Sequence, residues 1–416
     1  MTKKAVRRSW GDLSRIAGKP TRRYYEQNPR LFGHDKPQVV LWRDNSAWCP
    51  YCLKLWLLLE VMELPYEMKT IPLQRYLKPG ESKPREYTDM VPSGVVPALQ
   101  LRDGETFGAP IERVHSIFEL LREHPGFPEG DPRLYEMVCR PGGVRDKFEV
   151  ARRAYEACAG APDSSWRRPD YFESTGLLDA CAALDDVLAI SGGPFVCGRE
   201  FTAADCQLVP LLERAEAVAP YFFGGPDRVF PGTTFDGARR LLDEARRTTV
   251  FKHHASDSTT LARTNLRYAT RFFRPLDAEY ARIVDANPDW KRDATRDHKR
   301  EAAARLCANY KAVAKFASRC AQVDVEDDVV QHVLRITATA LLLGDDAAAD
   351  AARDMCSAVG PAPARAAAAS LLELSLNVGV PRDMDLGPAN ALRAYSRFVA
   401  DLLLVQLRGG GGGGDS

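Results

Sequence analysis

The chain has 416 residues, 45% hydrophobic and 27% charged, a length that a prior of roughly 150 residues per domain divides into about three domains and a balance that excludes a disordered tail or a collagen-like fibre. Lys plus Arg (57) nearly cancels Asp plus Glu (56), which argues against a nucleic-acid or membrane-surface binder, and no apolar run reaches the ~18 residues that span a bilayer. Ten cysteines are too few for a disulfide scaffold; with no secretory apolar stretch after Met1 they point to a reducing intracellular compartment, cytoplasmic or plastid.

The charge balance hides a division. Residues 1–36 carry ten Lys/Arg against three Asp/Glu, and the rest of the chain 47 against 53. This basic arm suits a transit segment or, equally, an extension kept on the mature chain, with Trp10, Tyr24, Tyr25 and Phe32 available for packing. From Gln38 the pattern reads strand, helix, strand: Val39–Trp42, then Pro50–Glu63 with Leu53, Trp56, Leu57 and Val61 at helical spacing, then Pro65–Leu73. A polar loop leads to Val91–Pro97, a strand at Ala98–Leu101, a hairpin turn at Asp103-Gly104 and a helix over Glu112–His124. Beyond residue 130 only helical spacing remains, over 145–159, 172–190, 203–219, 236–247, 297–321, 328–343, 347–358 and 393–407. The domain reading is a thioredoxin-like domain over 37–126, an all-helical domain over 135–265, a helical extension over 295–408 and a disordered glycine tail over 409–416.

Eight cysteines (139, 158, 181, 197, 206, 307, 320 and 356) stand alone in apolar surroundings and read as small buried hydrophobes. Cys49-Pro50-Tyr51-Cys52 differs, because it follows a strand and opens a helix, the context of a redox-active C-x-x-C. Cys49 falls at the N-cap and Pro50 at the first helical position, where its missing N–H costs nothing. A Cys49 thiolate is then placed to accept the free N–H groups of Tyr51 and Cys52. An unperturbed thiol of pKa ~8.5 is only a few per cent ionised at pH 7, and the helix dipole supplies about one pKa unit, so direct hydrogen bonds must do the rest. Lys54 lies ~140° round the helix from Cys49 and helps little, whereas Cys52 shares its face and is placed to resolve a mixed disulfide. The rival reading, a zinc half-site, lacks a second Cys or Cys/His pair, so no metal is expected. His253-His254 reads as a solvated helix end.

These residues resemble a known superfamily. Cys-Pro-Tyr-Cys after the first strand, Val96-Pro97 before the third, and Gly193-Pro-Phe-Val-Cys-Gly-Arg-Glu-Phe-Thr-Ala-Ala-Asp205 look like a glutathione S-transferase of the cysteine-type, glutaredoxin-like branch, over about residues 38–260. The long extension with Gly379-Val-Pro-Arg-Asp-Met384 most resembles the iota class. The resemblance implies a thioredoxin-like domain followed by an all-helical transferase domain, glutathione as co-substrate, and catalytic residues Cys49 and Cys52. Pro50 and Tyr51 join the glutathione site. Val96-Pro97 would be the family's cis-proline turn, pairing with the glutathione backbone like an added strand. Lys83 resembles the lysine that meets the glycine carboxylate, against the plainer reading of a surface lysine.

One departure stands out. The family has Glu or Gln followed by Ser to bind the γ-glutamyl end, and an Ile four residues beyond the Glu; here the pair is Glu112-Arg113 and Ile117 comes five residues on. Glu112 can pair with the γ-glutamyl ammonium and Arg113 with its carboxylate. Thr202-Ala-Ala-Asp205 reads as a capping box outside the active site. Tyr155, Trp166, Tyr171 and Phe172 are candidates for a second-substrate pocket, with core packing as the plainer alternative. The extension has amphipathic spacing at Leu306, Tyr310, Val313 and Phe316, fitting a docked module or a partner surface.

Two functions follow as expectations. The first is a glutathione-dependent thiol transferase or reductase working through a Cys49–glutathione mixed disulfide on a small hydrophobic or oxidised substrate or on glutathionylated proteins, with no nucleic acid, no membrane span, and a homodimer as the assembly to test. The second is a non-catalytic ligand-binding or assembly scaffold on the same fold.

Overall fold

The computed structural model describes residues 8–73, 82–158, 176–223, 236–264 and 290–409. The chain forms two compact units, one of Tyr24–Val284 and one that joins Met1–Arg23 to Asp285–Ser416. The segment 1–36, expected as a single arm, is thus shared between them.

In the first unit, the all-apolar start of Val39–Asp44 makes β1 a central strand, buried along its whole length. It pairs in parallel with β2 (Tyr66–Ile71) and antiparallel with β3 (Ala98–Asp103), so Leu41 lies between Met68 and Leu99. Two short strands, β4 (Thr106–Phe107) and β5 (Ile111–Glu112), both pair with β3, and Gly104 supplies the positive φ of 58° that the expected hairpin turn needs. The helix of residues 10–17 is α1, described below, so the crossover from β1 to β2 is α2 (Pro50–Val61). Its expected apolar stripe widens to almost the whole circumference: Pro50 and every residue from Cys52 to Glu60 are buried. The cause is cover from β1 on one side and from a long helix of the all-helical half on another.

After α3 (Arg85–Met90) and α4 (Val114–Arg122), that half contains α5 (Pro132–Cys139), α6 (Val144–Cys158), α7 (Leu177–Ser191), α8 (Ala203–Phe223), α9 (Gly237–Arg247) and α10 (Thr249–His254). It is α8 that packs on α2. Residues 24–36 belong here as well: Arg30 and Tyr66 exchange backbone hydrogen bonds of 2.8 and 2.9 Å, and Tyr24 stacks on His253 at 4.7 Å. The histidine pair therefore departs from the solvated end that was expected. His254 is 2% exposed, with its ring edge against Trp56 at 4.1 Å and Nε2 3.6 Å from Glu60 Oε1, because α10 ends against α2.

The Thr202–Asp205 box has a more one-sided form than the reciprocal cap. The Asp205 carboxylate accepts from Thr202 N–H at 2.8 Å, Thr202 O–H at 2.9 Å and Val196 N–H at 3.0 Å, so one side chain ties the Phe195–Cys197 turn to the start of α8. Burial raises its pKa to about 6. Removing the acceptor would strand two buried N–H donors, each costing about 1–3 kcal/mol. Asp205→Ala should lower the unfolding free energy by about 3 kcal/mol or more, read from urea denaturation; a loss under 1 kcal/mol would show that the bonds are replaceable.

In the second unit, α11 (Arg296–Ala321), α12 (Asp327–Leu343), α13 (Asp345–Val359), α14 (Pro361–Asn377) and α15 (Leu386–Gly409) share one core with α1 (Trp10–Ala17). The helix α14 begins on prolines, Pro361 at its first position, where proline is tolerated. Gly409 closes α15, so the first glycine of the expected tail is helical, and 410–416 lie outside the described residues, as do Trp166, Tyr171, Phe172 and the side chains of Tyr155 and Cys158.

Candidate functional site around Cys49

The sheet and α2 converge on the C-x-x-C motif. Cys49 is the N-cap residue in extended conformation, Pro50 occupies the first helical position, and both cysteines are buried free thiols, Cys49 7% exposed and Cys52 0%. The expected cap differs in one respect: Cys49 Sγ makes no full cap hydrogen bond to the helix. Across the site, the Cys49 thiol donates to Val96 O at 4.0 Å. The Cys52 thiol is the main reason the Cys49 pKa is lowered, ahead of the backbone N–H groups of Cys52 and Tyr51; burial and the Asp44 charge oppose them. Cys52 moves the other way, pushed well above the ordinary thiol value by burial first and by Cys49 and Asp44 next. The two thiols thus differ in how readily they ionise, Cys49 more readily than an ordinary thiol and Cys52 less.

Facing Cys49, the Val96–Pro97 bond is cis and the loop before it is held by three successive carbonyls. Lys83 Nζ donates to Gly94 O, Tyr87 O–H donates to Val95 O, and Cys49 reaches Val96 O. Lys83 is half-buried, its pKa lowered by burial while the two cysteines pull it up. Tyr87 is fully buried.

Glu112 and Arg113 separate onto different elements. Glu112 ends β5, and its carboxylate accepts from Ser93 O–H. Arg113 is exposed, has a φ of 67° and is the N-cap of α4; such backbone in a non-glycine residue costs about 1–3 kcal/mol. Ile117, fully buried, lies four residues past Arg113.

Tyr51, between the cysteines, is fixed by charged groups that sequence reasoning missed. Its O–H donates to Glu149 Oε2 at 2.8 Å and accepts from Arg152 Nη2 at 2.8 Å, while Lys54 Nζ, 2% exposed, donates to Glu149 Oε1 at 2.8 Å. Burial opposes charge on Glu149, yet Lys54 and Tyr51 hold its pKa down to about 2; burial outweighs Glu149 at Lys54, whose pKa is lowered. The Lys54 ammonium is thus engaged with Glu149 of α6. From α8, Arg214 donates to Trp48 O and lies over the Trp48 ring at 3.9 Å. Glu149, Arg152 and Arg214 have no signal in local sequence, being 95 to 166 residues from their partners.

Asp44 was also missed, although it stands five residues before Cys49. It is fully buried, Oδ2 accepts from Trp48 N–H at 2.8 Å, and Oδ1 lies 3.4 Å from Arg43 Nη2. One carboxylate oxygen and both sulfurs lie within 4.8 Å of one another. Two thiols and a carboxylate fall one donor short of a closed tetrahedral zinc site, and Arg43 adds a like charge for any cation.

A family model of the glutathione S-transferase N-terminal domain matches residues 48–122, and one of the C-terminal domain matches 174–244. The chain carries both domains of the glutathione S-transferase superfamily. Residues 48–122 contain every position expected above to meet glutathione, and 174–244 contain α7, α8, most of α9 and the Asp205 tie. The transferase region is 26% identical over 175 residues to the glutathione S-transferase DHAR2 of Arabidopsis thaliana, covering 42% of this chain and 70% of that protein. It is 25% identical over 180 residues to the probable maleylacetoacetate isomerase 2 of Drosophila melanogaster, covering 42% and 71%. Among solved structures, the dehydroascorbate reductase of Chlamydomonas reinhardtii aligns at 20% identity and a TM-score of 0.39 over 52% of this chain and 92% of its own. Among the described residues no helix is long and apolar enough to cross a membrane.

Proposed function

We propose that the transferase unit is a glutathione-dependent thiol transferase or reductase, with Cys49 as nucleophile. The observation that carries this is the split between the two sulfurs, a Cys49 with lowered pKa beside a Cys52 with raised pKa. In this reading the Cys49 thiolate attacks the glutathionyl sulfur of a disulfide, the substrate thiolate leaves and takes a proton, and a Cys49–glutathione disulfide remains. A second glutathione, or Cys52, then releases it. Glutathione would lie along Val96 with its cysteinyl backbone as an added strand. The donors that Lys83 does not spend on Gly94 O would meet the glycine carboxylate, and Glu112 and Arg113 the γ-glutamyl end. Pro50 and Tyr51 shape the mouth. Relatives named as a probable maleylacetoacetate isomerase and as the glutathione S-transferase DHAR2 support a small-molecule second substrate. The helical extension fits the iota-like assignment within this reading.

The test is intact-mass measurement after exposure to glutathione disulfide. One glutathionyl adduct is expected on the wild type, absent in Cys49→Ser and retained in Cys52→Ser, with disulfide reductase turnover of Cys49→Ser at background. No adduct, or an adduct indifferent to Cys49, refutes the mechanism. A second reading, a non-catalytic scaffold, is favoured by the exposed Arg113 at the γ-glutamyl position; full function retained in Cys49→Ala would select it.

A further inference from the structure

We propose that the buried Asp44 carboxylate takes the proton of the Cys52 thiol when Cys52 attacks a mixed disulfide on Cys49. The proposal rests on the reading of Cys49 as nucleophile and says how the second thiol becomes usable.

Cys52 cannot act unaided. It is fully buried, and burial, Cys49 and Asp44 all favour its neutral form, with Arg43 opposing them. In the resting dithiol its hydrogen bond goes to Cys49. Once the Cys49 sulfur is bonded to a second sulfur, it carries no thiolate charge to attract that proton. The groups facing Cys52 are then Asp44 and Arg43 from β1, with Lys83 and Tyr87 beyond the thiols. Arg43 is a permanent cation, Lys83 carries an ammonium engaged with Gly94 O, and Tyr87 spends its O–H on Val95 O. Of these groups Asp44 is the one that can take up a proton as a base. A carboxylate oxygen of Asp44 lies within 4.8 Å of both sulfurs, a distance that a thiol rotation or one bridging water closes, and Trp48 N–H holds the carboxylate in place by donating to Oδ2 at 2.8 Å.

The step balances. The Cys52 sulfur forms a bond to the Cys49 sulfur as the Cys49–S–S–R bond breaks. The bonding pair leaves with R–S, which is reduced, while Cys52 is oxidised into the Cys49–Cys52 disulfide. The proton passes from Cys52 to Asp44 and from Asp44 to the departing thiolate, so no further reductant or oxidant is needed.

The test uses the full-length chain and an aromatic disulfide, dithiobis(nitrobenzoate), at substoichiometric amounts, so that glutathione binding plays no part. Attack by Cys49 gives a first release of coloured thiolate, and attack by Cys52 on the resulting mixed disulfide gives a second, which Cys52→Ser abolishes. Asp44→Asn is expected to slow the second release about 10²-fold at neutral pH, the lower end of what a positioned base contributes. The same variant should speed the first, because the charge that opposes ionisation of Cys49 is gone. In the wild type the second release should be nearly flat from about pH 6.5 to 8.5, since the protein and not hydroxide supplies the base. A second release rising about tenfold per pH unit overturns the proposal whether or not the variant folds. So does an Asp44→Asn protein in which the second release is unaltered, or in which both slow together. A missing first release in the wild type overturns the Cys49 reading, and the proposal with it.

Discussion

Glu149→Ala is expected to destabilise the transferase unit by about 3–5 kcal/mol, the cost of leaving a buried charge without its partner. Lys54 is 2% exposed and its ammonium sits 2.8 Å from Glu149 Oε1; alanine also removes the acceptor of the Tyr51 O–H bond. Replacing both charges by apolar groups, as in Lys54→Met with Glu149→Leu, should recover most of the loss, because the desolvation of both ions is then avoided. Urea unfolding of the two proteins checks this: a single variant within 1 kcal/mol of wild type would mean that water reaches Lys54. The pH dependence has a definite sign. The folded pKa of Glu149 is about 2, below the ordinary value of about 4.3, so its contribution is present above about pH 4.5 and is lost as pH falls towards 2. The gap between wild type and Glu149→Ala should therefore narrow on acidification. Since Tyr51 stands between Cys49 and Cys52, a parallel drop in Cys49 alkylation rate would show that α6 positions the motif as well as stabilising it.

The parts of this molecule legible in sequence are those set by local chemistry. Pro50 at the first helical position, the Asp103-Gly104 turn and the apolar run of β1 each carry their instruction within a few residues, and the structure follows all three. The Cys49–Cys52 spacing similarly sets two sulfurs on one helix face. What escaped has long-range causes. Glu149 and Arg152 look like ordinary surface charges on an amphipathic helix until α6 meets Tyr51. Asp44 reads as one of two polar residues, with Arg43, that follow the Val39–Trp42 strand, and only the return of the chain into α2 places it beside both thiols. The offset at Arg113 is intermediate: the extra residue was visible, but the choice between Glu112 and Arg113 as the helix cap depends on β5 pairing with β3. The helix α1 was missed because its basic surroundings matched a leader's composition, although the Ser9–Asp12 capping box was there to be read.

That helix yields the second large expectation. Leu13 is fully buried in the core of the second unit and Ala17 nearly so, while Trp10 stacks on Tyr310 at 4.2 Å. Polar ties reinforce the contact: Arg300 Nε donates to Ala17 O at 2.8 Å, Glu301 accepts from Thr21 N–H at 2.9 Å, and Arg305 Nη2 donates to Thr21 O at 2.7 Å. Leu13→Ala should then cost about 2–5 kcal/mol, the range for a buried leucine that leaves a cavity, and removal of residues 1–23 should cost more, since it uncovers the faces of α11 and α12 that α1 packs on. Hydrogen exchange locates the effect: protection should fall across Arg296–Ala321 and Asp327–Leu343 and hold in β1 and α2, which belong to the other unit's core. The outcome decides what the basic residues are for. A leader that is cut away can contribute nothing to the folded chain, so a truncated protein with unaltered protection in α11 and α12 would restore the transit reading. Lost protection means that the part of this arm from Trp10 to Arg23 is a structural strap, with Arg23 anchored on the carbonyls of Pro381 and Arg382, and that any processing must stop before Ser9, whose side chain caps the helix.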